Sequence, residues 1–195
     1  IAVGEQARSM IGKTPPHIQV TRPLQRGIIA DFEVTEKMLR YFFDRVHAES
    51  SIVIPRPRVL MSVPLEVTEV ERKAVGDAAL GAGAREVYLV EEPIAAAVGS
   101  GIDISAPTGN MIVNIGAGST EIAVISLRGV VTSKTIPIAG DELNRNIVQY
   151  GRDVFNLMLG ERIAEEIKIA VGSAMELSDR LEVSMRGRDL LSGLP

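Results

Sequence analysis

The residues best equipped for chemistry in this chain lie in one run, Asn114-Ile115-Gly116-Ala117-Gly118-Ser119-Thr120, set inside an apolar stretch from Met111 to Leu127. Two glycines and an alanine leave the backbone N–H groups of such a turn unshielded, and the hydroxyls of Ser119 and Thr120 follow where an anion would lie. The turn can therefore wrap a phosphate. The same composition serves an ordinary hairpin turn, so the run alone leaves both readings open.

Other candidates are weaker. Gly12-Lys13-Thr14 imitates the end of a nucleotide P-loop, but the glycine that motif needs five residues earlier is Ala7, and no strand precedes it. His47 ends a helical pattern and reads as a partner of the helix dipole, while His17, between Pro16 and Ile18, has no second ligand in view. Glu91-Glu92-Pro93 places two carboxylates at the start of an alanine-rich helix, with Pro93 in its first turn. Glu165, Glu166 and Lys168 lie on the polar side of a later helix, the ordinary pattern of a solvated face.

The elements that must position these groups alternate between helix and strand. Helical spacing of Met38, Leu39, Phe42, Phe43 and Val46 predicts a helix capped by Thr35. Residues 58–63 read as a buried strand ended by Pro64, and Thr68 with Glu71 forms a capping box for a helix through Leu80, with Val70, Ala74, Val75, Ala78 and Ala79 as its packing face. Residues 87–90 form the next strand. The hairpin around the glycine turn continues through Arg128-Gly129 into a third strand over 130–138, giving a meander. Asp141 is the expected cap of a helix bearing Leu143, Ile147, Val148 and Val154, and a further helix carries Ala164, Ile167, Ala170 and Val171. Residues 181–185 alternate as a strand should.

With 195 residues the chain can bury a sizeable core, and its 46% hydrophobic and 24% charged content is that of globular proteins. No apolar run approaches a membrane span. A net charge of -4, three Tyr and four Phe argue against nucleic acid as a partner. The absence of cysteine excludes a disulfide framework and fits a reducing cytoplasm. The chain opens inside a pattern at Ile1 and stops after a turn signal at Pro195, so a fragment of a longer protein is expected.

Several runs together resemble the MreB family of bacterial actin homologues, within the superfamily of actin, sugar kinases and heat-shock chaperones. They are Arg22-Pro23-Leu24 with Gly27-Ile28-Ile29-Ala30-Asp31-Phe32, Glu91-Glu92-Pro93-Ile94-Ala95-Ala96-Ala97, the 111–126 hairpin, Gly140-Asp141-Glu142, Glu165-Glu166-Ile167-Lys168 and Arg186-Gly187-Arg188-Asp189. The resemblance implies an α/β, actin-like ATPase fold with ribonuclease H-like subdomains, here incomplete. By it, residues 1–32 are a small peripheral subdomain (IB-like) and 33–100 part of the first ATPase subdomain (IA-like). Residues 101–138 are part of the second (IIA-like), and 139–195 part of its outer subdomain (IIB-like). The family's first phosphate hairpin and closing adenosine loop have no counterpart.

It also implies roles, residue by residue. Ala117, Gly118 and Ser119 would lie near the phosphates of ATP, and Glu165, Glu166, Ile167 and Lys168 near the ribose and base. Glu92 would place the attacking water together with Ser119, and Asn114 would meet Mg2+ through its water shell. Phosphoryl transfer to water asks positioning of such groups, not covalent chemistry. Four departures from the family pattern stand out. Asn114 replaces an aspartate and keeps an acceptor without the charge; Ala117 replaces a glycine; Ser119 replaces a threonine and loses a methyl that restricts its rotamers; Ile163 stands where the family has a helix-capping threonine.

The function so implied is a cytoskeletal ATPase that forms filaments on the inner face of the cytoplasmic membrane, governs rod shape and guides the cell-wall elongation machinery, with hydrolysis weakened by Asn114 and Ser119. A nucleotide-binding filament subunit with little or no hydrolysis is the alternative, and a small-molecule kinase of the same superfamily a further one. Residues 50–55, with Ile52, Val53 and Ile54, are expected to be the loop that touches the membrane. Val70 and Glu71 are expected at a contact between filaments, unless Val70 packs inward.

Overall fold

The computed structural model describes residues 2–48 and 56–194. They gather into two compact units, Ile1–Asn114 with Glu121–Thr135 and Ile115–Thr120 with Ile136–Pro195. The expected membrane loop at residues 50–55 lies outside the described residues.

The first unit opens with a single turn of helix, α1 (Glu5–Arg8), and a small antiparallel pair, β1 (Leu24–Gln25) and β2 (Ile28–Ile29). Between them Arg26 and Gly27 both take positive φ, at 53° and 76°. Helix α2 (Phe32–Val46) follows. It starts earlier than its apolar spacing predicts, because Asp31 is the cap: its carboxylate accepts the Val34 N–H at 3.0 Å. Thr35 is instead a buried first-turn residue whose hydroxyl donates back to the Asp31 carbonyl. At the other end His47 caps α2, its Nδ1 lying 2.8 Å from the Phe43 carbonyl.

A parallel strand–helix–strand unit comes next: β3 (Arg58–Val63), α3 (Glu69–Gly81) and β4 (Glu86–Glu91), with Arg58 in register with Glu86 and Val63 with Glu91. Both bonds of the capping box form at Thr68 and Glu71. Ala78 and Ala79 are fully buried, and small residues there let α2 approach: Arg40 of α2 donates to the Gly81 carbonyl at 2.7 Å. Val70 is 79% exposed and takes no part in that packing face. Helix α4 (Glu92–Gly99) leaves the end of β4 with Pro93 in its first turn.

The meander is present as β5 (Asn110–Ile115), β6 (Thr120–Ser126) and β7 (Gly129–Ile136), in that order across the sheet. Burial alternates strictly along β6, with Glu121, Ala123 and Ile125 on the covered face. Ile125 and Ile112 of β5 join Ala97 of α4 in an apolar cluster walled by Ile94, Ala96, Ile102 and Ile104. Fully burying one such isoleucine is worth about 1.5–3 kcal/mol, so these contacts fix α4 against the sheet. The third strand ends at Ile136, two residues short of its expected limit.

The second unit holds α5 (Gly140–Phe155), β8 (Leu157–Met158), α6 (Glu161–Val171) and β9 (Arg188–Asp189). Its buried residues include Ala139, Leu159, Ala164 and Ile167. The expected caps differ here. Ala139 occupies the N-cap of α5, and Asp141 lies inside its first turn. Gly160 precedes α6, which makes Ile163 a half-buried helical residue and not a lost cap. Residues 181–185 form no strand despite their alternation; the strand lies beyond them, where Arg188 pairs with Met158 and Asp189 with Leu157. Glycines at 151 and 187 serve this corner, since an added Cβ would come within 2.6 Å of Leu159 at the first and 2.7 Å of the Met158 carbonyl at the second. Among the described residues of either unit, no helix is long and apolar enough to cross a membrane.

Candidate functional site

In the second unit the glycine turn is docked on the start of α5. Gly116 donates its N–H to the Ser119 carbonyl at 3.0 Å, which closes the turn. The turn's own carbonyls then face α5: Gly116 accepts from the Gly140 N–H at 3.1 Å and Ala117 from Asp141 at 2.8 Å. Thr120 adds a hydroxyl bond to the Ile138 carbonyl at 2.7 Å. With the carbonyls of Gly116, Ala117 and Ser119 engaged in this way, the turn keeps donors: among the described residues the amides of Ala117, Gly118 and Ser119 make no backbone hydrogen bond. Successive backbone N–H groups without an internal acceptor are what an anion nest is built from.

Lys168 reaches the same helix start. Its ammonium lies 3.2 Å from the Gly140 carbonyl and about as close, 3.2 Å, to the point where a Cβ on Gly140 would stand. The same point is 3.6 Å from the Cα of Ala117, so a side chain at position 140 would wedge between the lysine and the turn. Helix α6 distributes its motif by face. Lys168 and Glu165, three residues apart, are half-buried on one side, whereas Ile167 and Ala164 are buried in the unit's core. Glu166 is exposed and pairs with Arg162 at 3.6 Å. Among these four residues, then, the structure brings Lys168 to the turn and gives Ile167 a packing position.

The first unit carries a carboxylate group of its own. Glu92 is the first residue of α4, and its Oε2 accepts the side-chain amide of Asn114 at 3.2 Å. Burial pushes the Glu92 carboxyl above the usual carboxylate range, the charge of Glu121 pushes it further, and the bond from Asn114 opposes both. Glu121 is 1% exposed and accepts the Leu65 N–H on Oε1 at 2.8 Å, while its buried Oε2 has no hydrogen-bond partner among the described residues. Gly27 closes the group: a Cβ there would come within 2.6 Å of Pro64 and 3.8 Å of Glu92 Oε1.

Of the residues singled out from sequence, Glu92 and Asn114 are thus directly bonded, and Ala117, Gly118 and Ser119 form the turn that α5 and Lys168 support. Sequence reasoning passed over Glu121 and the Gly140–Lys168 contact. The signal for Glu121 was present, since it alternates in phase with Ala123 and Ile125, and a charged residue in that phase must lie on the covered face. No group of three His, Cys, Asp or Glu able to hold a metal occurs among the described residues.

Comparison with known proteins adds a lineage. A family model described as MreB/Mbl protein matches residues 1–195. The cell shape-determining protein MreB of Escherichia coli (strain K12) is 50% identical over 194 residues, covering 100% of this chain and 56% of that protein. Mbl of Bacillus subtilis (strain 168) is 47% identical over 195 residues, covering 100% and 58%. The chain therefore spans little more than half the length of these relatives. Among solved structures, MreB5 of Spiroplasma citri bound to ADP superposes with a TM-score of 0.92 at 37% identity over 100% of this chain and 58% of that one, and a second structure of MreB5 holds AMPPNP.

Proposed function

The chain belongs to the MreB/Mbl family and has its actin-like ATPase fold, and from that premise we propose that the protein it represents is a filament-forming cytoskeletal ATPase of rod-shape control. It binds ATP with Mg2+, self-associates on the inner face of the cytoplasmic membrane and guides the cell-wall elongation machinery. The observation that carries the nucleotide reading is the run of amides at Ala117, Gly118 and Ser119 that make no backbone hydrogen bond among the described residues, in a turn held on α5 by the carbonyls of Gly116 and Ala117, with the Lys168 ammonium bonded to the Gly140 carbonyl beside it. Backbone amides and an ammonium favour anionic oxygen, and such a nest fits a phosphate group. MreB5, the relative superposed above, is solved with ADP and with AMPPNP.

The donor set also bears on the metal. Asn114 spends its amide N–H on Glu92 and retains an acceptor oxygen, which fits contact with a hydrated cation and not direct binding by a carboxylate cage. Bound Mg2+ supplies charge neutralisation on the phosphates. Glu92, held by Asn114 at the head of α4, orients the attacking water as a hydrogen-bond acceptor, and the Ser119 hydroxyl positions it from the turn. Glu165, Glu166 and Lys168 serve the ribose and base side, with Ile167 supporting α6 from the core.

A second reading, a filament subunit that binds nucleotide and scarcely hydrolyses it, is favoured by one feature: the neutral amide at position 114. A charge-assisted hydrogen bond is roughly twice as strong as a neutral one, and losing it corresponds to about tenfold in rate. In the full-length protein, Asn114→Asp is expected to speed single-turnover phosphate release about tenfold and sharpen its Mg2+ dependence. Ser119→Thr should raise the rate modestly, and Glu92→Ala should abolish release with ATP affinity little changed. An Asn114→Asp protein no faster than its parent rejects the account of the turn; a parent that binds ATP without releasing phosphate selects the second reading.

A further inference from the structure

A carboxylate sealed under a sheet is expensive to keep, and an apolar residue would fill the same place in β6 without that cost. Glu121 sits there with Ala123 and Ile125 as its neighbours in phase, 1% exposed. What it holds is a single backbone N–H, that of Leu65, fifty-six residues away in sequence. Leu65 follows Pro64, the buried residue at which the chain leaves β3 for α3. Pro64 in turn borders the bare backbone of Gly27, at the same spot that the Glu92 carboxylate approaches through Oε1. The other oxygen of Glu92 is tied to Asn114. One side of that carboxylate is thus held by a hydrogen bond, and the other lies beside Gly27, which Pro64 borders in turn.

We propose that Glu121 is a positioning residue for hydrolysis: by accepting the Leu65 N–H it locks the Pro64–Leu65 corner that borders Gly27, the residue beside which Glu92 Oε1 lies, and so fixes the direction in which Glu92 presents its oxygen to water. This rests on the hydrolytic reading given above. The chemistry suits the task. An acceptor bearing charge grips a backbone amide more tightly than a neutral one, and a proline beside the gripped residue has its φ already fixed, so one bond immobilises two residues. Glu121 touches neither nucleotide nor water in this scheme. It acts through Leu65, Pro64 and Glu92, and a displacement of Glu92 of about an ångström is enough to cost between ten- and a hundredfold in rate.

The test uses the full-length protein with three variants, Glu121→Ala, Glu121→Gln and Leu65→Pro, and reads nucleotide affinity, single-turnover phosphate release and hydrogen exchange separately. Glu121→Ala is expected to slow release by about tenfold or more while the nucleotide dissociation constant stays within about twofold. In the nucleotide-free protein the Leu65 amide should lose its protection from exchange in that variant, with the amides of α3 keeping theirs. Glu121→Gln retains an acceptor oxygen and should recover most of the rate and the protection. Leu65→Pro removes the donor and leaves the carboxylate, so it should be as slow as Glu121→Ala; if the alanine variant does not fold, this one decides. An unchanged rate, a loss of affinity equal to the loss of rate, or a Gln variant as slow as Ala overturns the proposal. Glu92→Ala measured alongside separates the two readings: if it abolishes turnover while Glu121→Ala and Leu65→Pro do not alter it, only the role of Glu121 falls, and if the parent releases no phosphate, both fall.

Discussion

At the scale of single residues, the site is built from groups that would be more stable elsewhere. Glu92 is half-buried, close to the charge of Glu121, and its carboxyl titrates above the usual range for these reasons, burial first. A carboxyl whose folded pKa lies above its unfolded one costs stability in the ionised form. The cost is present above the folded pKa and vanishes as pH falls below the unfolded one. Replacing Glu92 by Gln removes the ionisable group and keeps an acceptor for Asn114. Glu92→Gln is therefore expected to melt at a higher temperature than the parent at neutral pH, with the difference closing as pH falls into the acid range, even as phosphate release is lost. Thermal melts of both nucleotide-free proteins across that range check it; parallel curves at every pH would show that the fold has absorbed the charge. The turn shows the limit of reading residues singly. Its composition allows either a hairpin or a phosphate nest, and the bonds from Gly140 and Asp141 to the carbonyls of Gly116 and Ala117, which dock the turn on a helix start, come from residues far outside the run.

Elements were legible wherever local signals agreed, and α3 is the clearest case. Its capping box, its small-residue face at Ala78 and Ala79 and its stop near Gly81 all stand in the sequence and in the fold. Thr68→Ala is expected to cost about 1 kcal/mol, read by chemical denaturation, because it leaves the Glu71 N–H without its side-chain acceptor. Where local signals compete, reading fails. Asp31 outranks Thr35 as a cap because its carboxylate reaches Val34, and residues 181–185 alternate without pairing because the partner edge, β8, is only two residues long and is taken by Arg188 and Asp189. Long-range determinants were invisible for a plainer reason: nothing near Glu121 in sequence announces Leu65. The exposed side of α3 carries a prediction of its own. Val70 stands 79% exposed one residue before Glu71, and an isolated apolar side chain there fits the contact between paired filaments that the family resemblance implies. Val70→Glu in the full-length protein should give single filaments by electron microscopy, since a buried unpaired charge on each subunit opposes pairing. Doublets as in the parent would assign Val70 to ordinary surface.

For the whole molecule the decisive fact is proportion: this chain spans 56% to 58% of the relatives it matches, so the proposed assembly and membrane attachment are to be tested on the longer protein. Ile52, Val53 and Ile54 are three consecutive branched apolar residues flanked by Ser51 and Pro55. Their full transfer from water into an apolar layer is worth a few kcal/mol at about 25 cal/mol per Å2, which corresponds to weak, reversible binding for one subunit. A filament changes the arithmetic. Each further subunit binds as part of an already attached array, and its effective concentration at the surface makes many weak contacts strong together. Attachment should therefore depend on polymerisation as well as on the apolar residues. Ile52→Ser with Val53→Ser is expected to move ATP-assembled filaments from the liposome pellet to the supernatant while leaving polymerisation itself unchanged, and unassembled parent protein should also remain in the supernatant. Co-sedimentation of the double variant at the parental level would show that another surface holds the membrane, and strong binding by unassembled parent would show that single subunits attach without the help of the array.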